Sequence, residues 1–279
     1  IFCFKQKPGH KYLYTAEMRS VPDWKCISPK QVYMMISSKM TPGGYEILVQ
    51  LPRMKKPTPL FILFRALGIK TDKQICKYIL LNIDDTKNNQ LLKALVASIS
   101  STSNYVSYED SVDYIVSNVM YTPINMEKEE GNRKKREFAF DILKNDLFPN
   151  CKRDTEKKFL LGYMTNMLLN CYLGYKPPDD RDSYLNKRIE TTGTLLNNLF
   201  RNYFNKVVKD MQKQIVREIN NGSWKSQEDY RSIVNLTNIY KIVKSSTIEN
   251  GLKRALATGD FGIKHLNSNK VGVAQVLSR

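Results

Sequence analysis

The sequence predicts an α+β fold, strands first and helices after, and three observations carry that prediction. "MTPGGY" (Met40–Tyr45) is a Pro-Gly-Gly turn signal between two strand-like runs, Val32–Lys39 and Tyr45–Leu51, and so marks an antiparallel hairpin. Helix-start signals recur from Thr71 onward. Between Leu195 and Ile219 the apolar residues return at three- and four-residue steps, as one face of a long helix requires.

Taken in order, the first 50 residues read as strands. "LPRMKKPTPL" (Leu51–Leu60) brings three prolines and three basic residues and reads as a loop. "LFILFRALG" (Leu60–Gly68) is an apolar helix stopped by Gly68 as C-cap. Thr71 with Gln74 forms a capping box for a helix through about Leu80. "QLLKALVASI" (Gln90–Ile99) is helical, and "SYEDSVDYIVSNV" (Ser107–Val119) opens with Ser107 and Asp110 placed as caps. "NRKKREFAFDILKNDLFP" (Asn132–Pro149) is a further helical segment. Phe159, Tyr163, Met164, Met167, Leu168 and Cys171 recur at helical spacing and read as core.

Past Pro177-Pro178 comes the long amphipathic helix, roughly seven turns, ended by "NNG" (Asn220–Gly222). Arg201, Lys209, Lys213 and Arg217 lie largely off its apolar stripe. Ser246 with Glu249 predicts another capping box, and that helix ends at Gly259. "DFGIKHLNSNKVGVAQVLSR" (Asp260–Arg279) reads as a loop entering a new element.

Of 279 residues, 42% are hydrophobic and 25% charged, enough for a sizeable core in one large or two smaller domains. The net charge of +17 is unevenly spread. Residues 1–80 hold 14 basic and 4 acidic groups (+10), residues 81–200 hold 16 and 17 (−1), and residues 201–256 hold 11 and 5 (+6). A clustered excess favours a polyanionic partner through the summed field and counterion release; a basic solvated surface is the plainer alternative. The five cysteines are scattered without a C-x-x-C pair, and His10 and His265 are the only histidines, which argues against zinc by paired-ligand spacing. That pattern fits a reducing compartment. The most apolar helical segment, Phe159–Tyr175, is too short and too polar to span a bilayer. A start at Ile1 reads as part of a longer polypeptide.

No phosphate-cradling G-x-x-x-x-G-K-[ST] and no H-E-x-x-H is present. "GDFG" (Gly259–Gly262) holds a kinase-like triplet without the partners that give it meaning. Arg133–Arg136 could grip phosphate, but beside Glu127, Glu129 and Glu130 the run also fits a solvated face. "KPPDDRDSYLNKR" (Lys176–Arg188) poses a sharper choice. Asp179, Asp180 and Asp182 could hold a divalent metal or form a charged hinge between folding units.

Six motifs in order carry a resemblance: "AEMRS" (Ala16–Ser20), "LFILFRALGI" (Leu60–Ile69), "FLLGYMTNMLL" (Phe159–Leu169), "DDRDSYLNKR" (Asp179–Arg188), "GLKRALATGDFG" (Gly251–Gly262) and "VGVAQVLSR" (Val271–Arg279). From about Tyr14 to its last residue the sequence resembles the second-largest subunit of a multisubunit DNA-directed RNA polymerase, in its eukaryotic, archaeal or large-DNA-virus form. The resemblance implies a mixed helical lobe over residues 1–180, a returning segment of the protrusion over 181–256, and the start of the fork over 257–279.

It further implies no catalytic residue and no metal ligand in this segment, with Mg2+ and Zn2+ belonging to the complete polymerase. Lys264, Lys270, Gln275 and Arg279 would approach the nucleic acid at the fork. Asp179, Asp180, Arg181, Asp182, Lys187 and Arg188 would form the junction between lobe and protrusion, the carboxylates capping a helix start or pairing with Arg181, Lys187 and Arg188. Three neighbours on one strand of chain converge poorly on an ion, which favours the junction over a metal site.

The implied partners are the largest and small polymerase subunits, the DNA template with its RNA–DNA hybrid, and transcription factors docking on the lobe, with no membrane. The implied setting is intracellular: the nucleus, or a viral factory or virion. Three departures mark a divergent branch: Ser183-Tyr184-Leu185 after "DDRD", "ATGDFG" for "ATGNWG", and Lys270 for the usual arginine. Leu185 stands where the family has glycine, so its local turn must differ. The competing expectation is a free-standing basic module that binds or packs nucleic acid on the same fold.

Overall fold

The computed structural model of the protein describes residues 1–22, 29–122, 127–221, 239–261 and 275–278. The chain divides into two compact units, Ile1–Asp180 and Arg181–Arg279.

The first unit is α+β. A five-stranded antiparallel sheet runs in sequence order: β1 (Phe2–Lys5), β2 (Tyr12–Ser20), β3 (Lys30–Thr41), β4 (Gly44–Gln50) and β5 (Thr58–Pro59). The expected hairpin is β3–β4, closed by Pro42-Gly43 between paired Thr41 and Gly44. Gly43, with φ of +104°, adopts a backbone that a side chain would strain. Val32, Met34, Ile36, Ile47 and Val49 turn into the core at period two. The prolyl loop after β4 is not wholly irregular, because Thr58 and Pro59 pair with Val49 and Leu48 as β5.

Six helices follow: α1 (Leu60–Ala66), α2 (Asp72–Leu80), α3 (Asn89–Ser100), α4 (Tyr108–Asn118), α5 (Lys128–Asp141) and α6 (Asp154–Tyr172). All seven residues of α1 are buried, which explains a run with no polar face. Gly68, at φ +87°, follows its end as expected. Thr71 Oγ1 accepts from the Gln74 N–H (3.3 Å), the first half of the predicted capping box, and Ser107 Oγ accepts from the Glu109 N–H (3.2 Å) as the N-cap of α4, with Asp110 inside the first turn.

Helix α6 lies along the sheet and against α2, placing Leu161, Met164, Leu168, Leu169 and Cys171 in the core. Two expected core residues are corrected: Phe159 and Tyr163 are 53% and 56% exposed. The buried arc of α6 instead runs through Leu161 and Leu169, and Phe159 covers Tyr78 edge-on at 4.8 Å. Gly162 lets α6 approach α2, since a Cβ there would stand 2.1 Å from the Tyr78 carbonyl oxygen.

The second unit holds a two-stranded antiparallel sheet of β6 (Lys187–Glu190) and β7 (Gln275–Ser278), with α7 (Thr192–Asn220), α8 (Ile239–Ile242) and α9 (Ser246–Thr258). Leu195, Leu199, Ala255 and Phe261 form its small core, joined by Leu196, Tyr203 and Leu252. The predicted capping box at Ser246 does not form. Ser246 is already helical, Ser245 takes the cap position without a side-chain bond, and Glu249 pairs with Lys253 at 2.6 Å. Gly259 ends α9 in the left-handed region, as expected.

Candidate nucleic-acid interface

The diproline stretch is tied to the edge of the sheet. The Asp179 N–H donates to the Cys3 carbonyl (2.7 Å), and its carboxylate accepts from the Cys3 N–H (2.9 Å). The second carboxylate oxygen accepts from Lys176 Nζ (3.0 Å). Asp179 thus satisfies both backbone groups of one residue on the outer strand. Capping a helix or pairing with Arg181, Lys187 or Arg188 is not what its described contacts do. Asp180, Arg181 and Asp182 follow on the exposed surface, where the two units meet in sequence.

Lys187 and Arg188 have a role that the sequence did not disclose. They lie in β6, in register with Ser278 and Leu277 of β7, while Ile189 faces Val276 and Glu190 faces Gln275. The ladder joins the "DDRDSYLNKR" motif to the "VGVAQVLSR" motif. Of the four residues expected near the fork, Gln275 opens β7, and Lys264, Lys270 and Arg279 lie outside the described residues. Leu185 sits in a single 3-10 turn (Tyr184–Asn186) whose start is capped by Ser183. Positive φ among the described non-glycine residues occurs at Arg53, Leu81 and Phe148, so Leu185 needs no glycine-like backbone.

The dense basic run on α5 is partly neutralised. Lys134 pairs with Glu130 at 2.9 Å, and Arg136 with Glu109 and Asp113. Those pairs raise the affinity of Lys134 and Arg136 for their protons, chiefly through the hydrogen bonds to Glu130 and Glu109. Other cations are turned inward. Arg65, 2% exposed, donates to the Thr102 and Tyr105 carbonyls (2.8 and 3.0 Å) and to Asp72 (2.6 Å), clamping α1 to α2 and to the turn after α3. Asp146, 1% exposed, receives Arg53 and Lys30, and Arg53 also reaches Asp141 at 2.7 Å. Lys157, 2% exposed, donates to the Leu143 and Lys144 carbonyls, and burial lowers its pKa. The one signal for these clamps was an arginine inside an apolar run, "LFRALG".

Burial pushes the Cys3 thiol up to about 12 and Cys76 to about 11, the opposite of what thiolate ligation needs. Among the described residues no three of His, Cys, Asp or Glu gather as a metal-binding group.

Fold and site together define a basic α+β scaffold whose internal ion pairs hold its elements in place. A family model described as RNA polymerase Rpb2, domain 2, matches residues 27–190. DNA-directed RNA polymerase II subunit 2 of Arabidopsis thaliana is 31% identical over 100% of this chain and 22% of its own length. DNA-directed RNA polymerase II subunit RPB2 of Schizosaccharomyces pombe is 33% identical over 99% of the chain and 22% of its length. DNA-directed RNA polymerase subunit 2 of Acanthamoeba polyphaga mimivirus is 29% identical over 99% and 23%. The chain belongs to the family of second-largest RNA polymerase subunits, and it spans about a fifth of the length of these curated relatives.

Proposed function

We propose that this chain is a non-catalytic internal segment of a DNA-directed RNA polymerase's second-largest subunit, forming part of the wall of the DNA cleft. Residues 1–180 would be the lobe, 181–256 the returning part of the protrusion and 257–279 the beginning of the fork. The observation that carries this reading is the alignment of polymerase subunits over 99–100% of the chain. Two-metal phosphodiester chemistry would be performed by other parts of the assembly. Mg2+ and Zn2+ would be held there as well.

In the complete enzyme, the largest subunit, the small subunits, template DNA and the hybrid would be the partners. Transcription factors would dock on the lobe. The enzyme would work inside the cell, in the nucleus or a viral factory. The register of β6 with β7 supports a fork strand anchored on the protrusion side. Gln275, Lys264, Lys270 and Arg279 would lie toward the transcription bubble.

The test is affinity purification of the chain's polypeptide from its native source. Co-purification with a largest subunit and templated RNA synthesis by the assembly is the expected result. A free-standing polypeptide with no polymerase partner would overturn the reading.

A further inference from the structure

Part of the excess charge of residues 1–80 gathers at the turn between β1 and β2 with the adjoining end of β3. Lys5, Lys7, His10, Lys11 and Lys39 are all exposed there. None of them forms an ion pair among the described residues, unlike Lys134 and Arg136 of the denser run on α5. The turn is built to hold its shape. Pro8 and Gly9 occupy the two central positions of Lys7–His10, Gly9 has φ of +83°, and the His10 N–H donates to the Lys7 carbonyl (3.2 Å). Proline followed by a positive-φ glycine is the arrangement a type II turn requires.

The turn is also fastened to its neighbour. The Ser38 N–H and hydroxyl both donate to the Lys11 carbonyl (3.0 and 2.8 Å), which sets Lys39 beside the turn. His10 Nδ1 accepts from the Tyr12 N–H (3.2 Å), its ring lies 5.7 Å from Tyr12, and Lys11 Nζ stands 5.6 Å over the Tyr12 ring. A fixed frame carrying unpaired ammonium groups around an aromatic face suits a phosphate backbone: the charges neutralise phosphates without reading bases.

We propose that this turn is a phosphate-contacting site for duplex nucleic acid, formed by Lys5, Lys7, Lys11 and Lys39. The proposal rests on the cleft-wall reading given above and names the side chains of residues 1–180 that face the nucleic acid. Lysines on an edge strand can also serve only to block edge-to-edge pairing. Lys7 and Lys11 lie in the turn rather than along the open edge of β1, and edge protection does not account for them.

The experiment measures binding of the full 279-residue chain to a fluorescent 20-base-pair duplex of mixed sequence across a salt series. The quadruple substitution Lys5→Gln, Lys7→Gln, Lys11→Gln, Lys39→Gln should weaken binding about tenfold or more at low salt. It should also flatten the log–log salt slope by about 0.9 for each phosphate no longer neutralised. A control with equal charge loss, Lys70→Gln, Lys73→Gln, Lys77→Gln and Lys93→Gln, should do far less. Equal losses from both variants would mean diffuse charge and overturn the proposal. An unchanged slope in the turn variant, with new aggregation, would assign the lysines to edge protection and overturn it too. A polyglutamate peptide competing as well as the duplex would make an acidic polypeptide the partner instead. Should the quadruple variant unfold, Lys7→Gln with Lys11→Gln, both in the turn, gives the same reading on two phosphates. Absence of duplex binding by the unmodified chain would sink the cleft-wall reading and this site together, whereas binding indifferent to the turn would sink this site alone.

Discussion

Helices α6 and α7 carry similar apolar repeats and are used in opposite ways. Along α6, buried residues include Leu161, Gly162, Met164, Thr165, Leu168, Leu169 and Cys171, so packing surrounds much of its circumference. Along the 29 residues of α7, only Leu195 and Leu199 are buried. Phe200 and Phe204, stacked at 6.1 Å, are 47% and 50% exposed, and Val216 is 54% exposed. Burial decides how much a residue's shape matters, so equal periodicity in the sequence conceals unequal energetic weight.

The comparison breaks most sharply at Gly162. A methyl group there meets a backbone carbonyl of α2, and backbone yields only if the two helices separate. Gly162→Ala should cost about 3 kcal/mol through overpacking, read as a large drop in Tm or in urea midpoint. A change smaller than about 1 kcal/mol would mean that α2 and α6 are not in close contact in solution.

Gly251 is the matching position in the second unit, where α9 meets α7. A Cβ there would stand 2.3 Å from the Tyr203 ring. A partly buried side chain can shift where a backbone cannot, so Gly251→Ala should cost about 1 kcal/mol. Pairing it with Tyr203→Ala in a double-mutant cycle should recover most of that loss. Strict additivity would show that the ring is not the obstacle.

Both glycines stand inside motifs that the sequence displayed, yet their reason was not visible there. The turn at Pro42-Gly43, the caps at Thr71 and Ser107 and the stop at Gly68 are local chemistry, settled within a few residues, and each was readable. Which face of α6 is inward depends on β2 and α2, so Phe159 and Tyr163 were misplaced although their spacing was right. Ser246 and Glu249 have capping-box spacing, but the helix starts one residue too early for Ser246 to serve. The pairing of Lys187–Glu190 with Gln275–Ser278 joins distant stretches of chain, and no local pattern announces it. Asp179 stood out in the sequence as an expected junction residue, while the partner it has, the backbone of Cys3, lies at the other end of the first unit.

The polar clamps of the first unit sharpen the contrast through pH. Hydrogen bonds from Arg53 and then Asn145 hold the Asp141 carboxylate below its ordinary range. A folded pKa below the unfolded one means that the unfolded chain binds more protons as acid is added. The contribution is therefore complete above the unfolded value of about 4 and is lost as pH falls through the folded value. Asp141→Asn should flatten stability between about pH 5 and pH 2 while changing it modestly at pH 7, since Asp141 and Arg53 are partly solvated and screened. A parallel pH profile for variant and parent would count against the pair.

The smallest effect is expected on the open face of α7, and its smallness is the point. Phe204 is half exposed, so the described structure gives its ring little apolar surface to lose. Phe204→Ser should then change the stability of the 279-residue chain by no more than about 0.5 kcal/mol, the ordinary range for surface positions. A buried phenylalanine would cost about 3–5 kcal/mol on truncation. Thermal unfolding separates the two outcomes without ambiguity. A loss near the larger figure would mean that the face of α7 is covered in solution, and the difference between α6 and α7 would shrink to one of which partner does the covering.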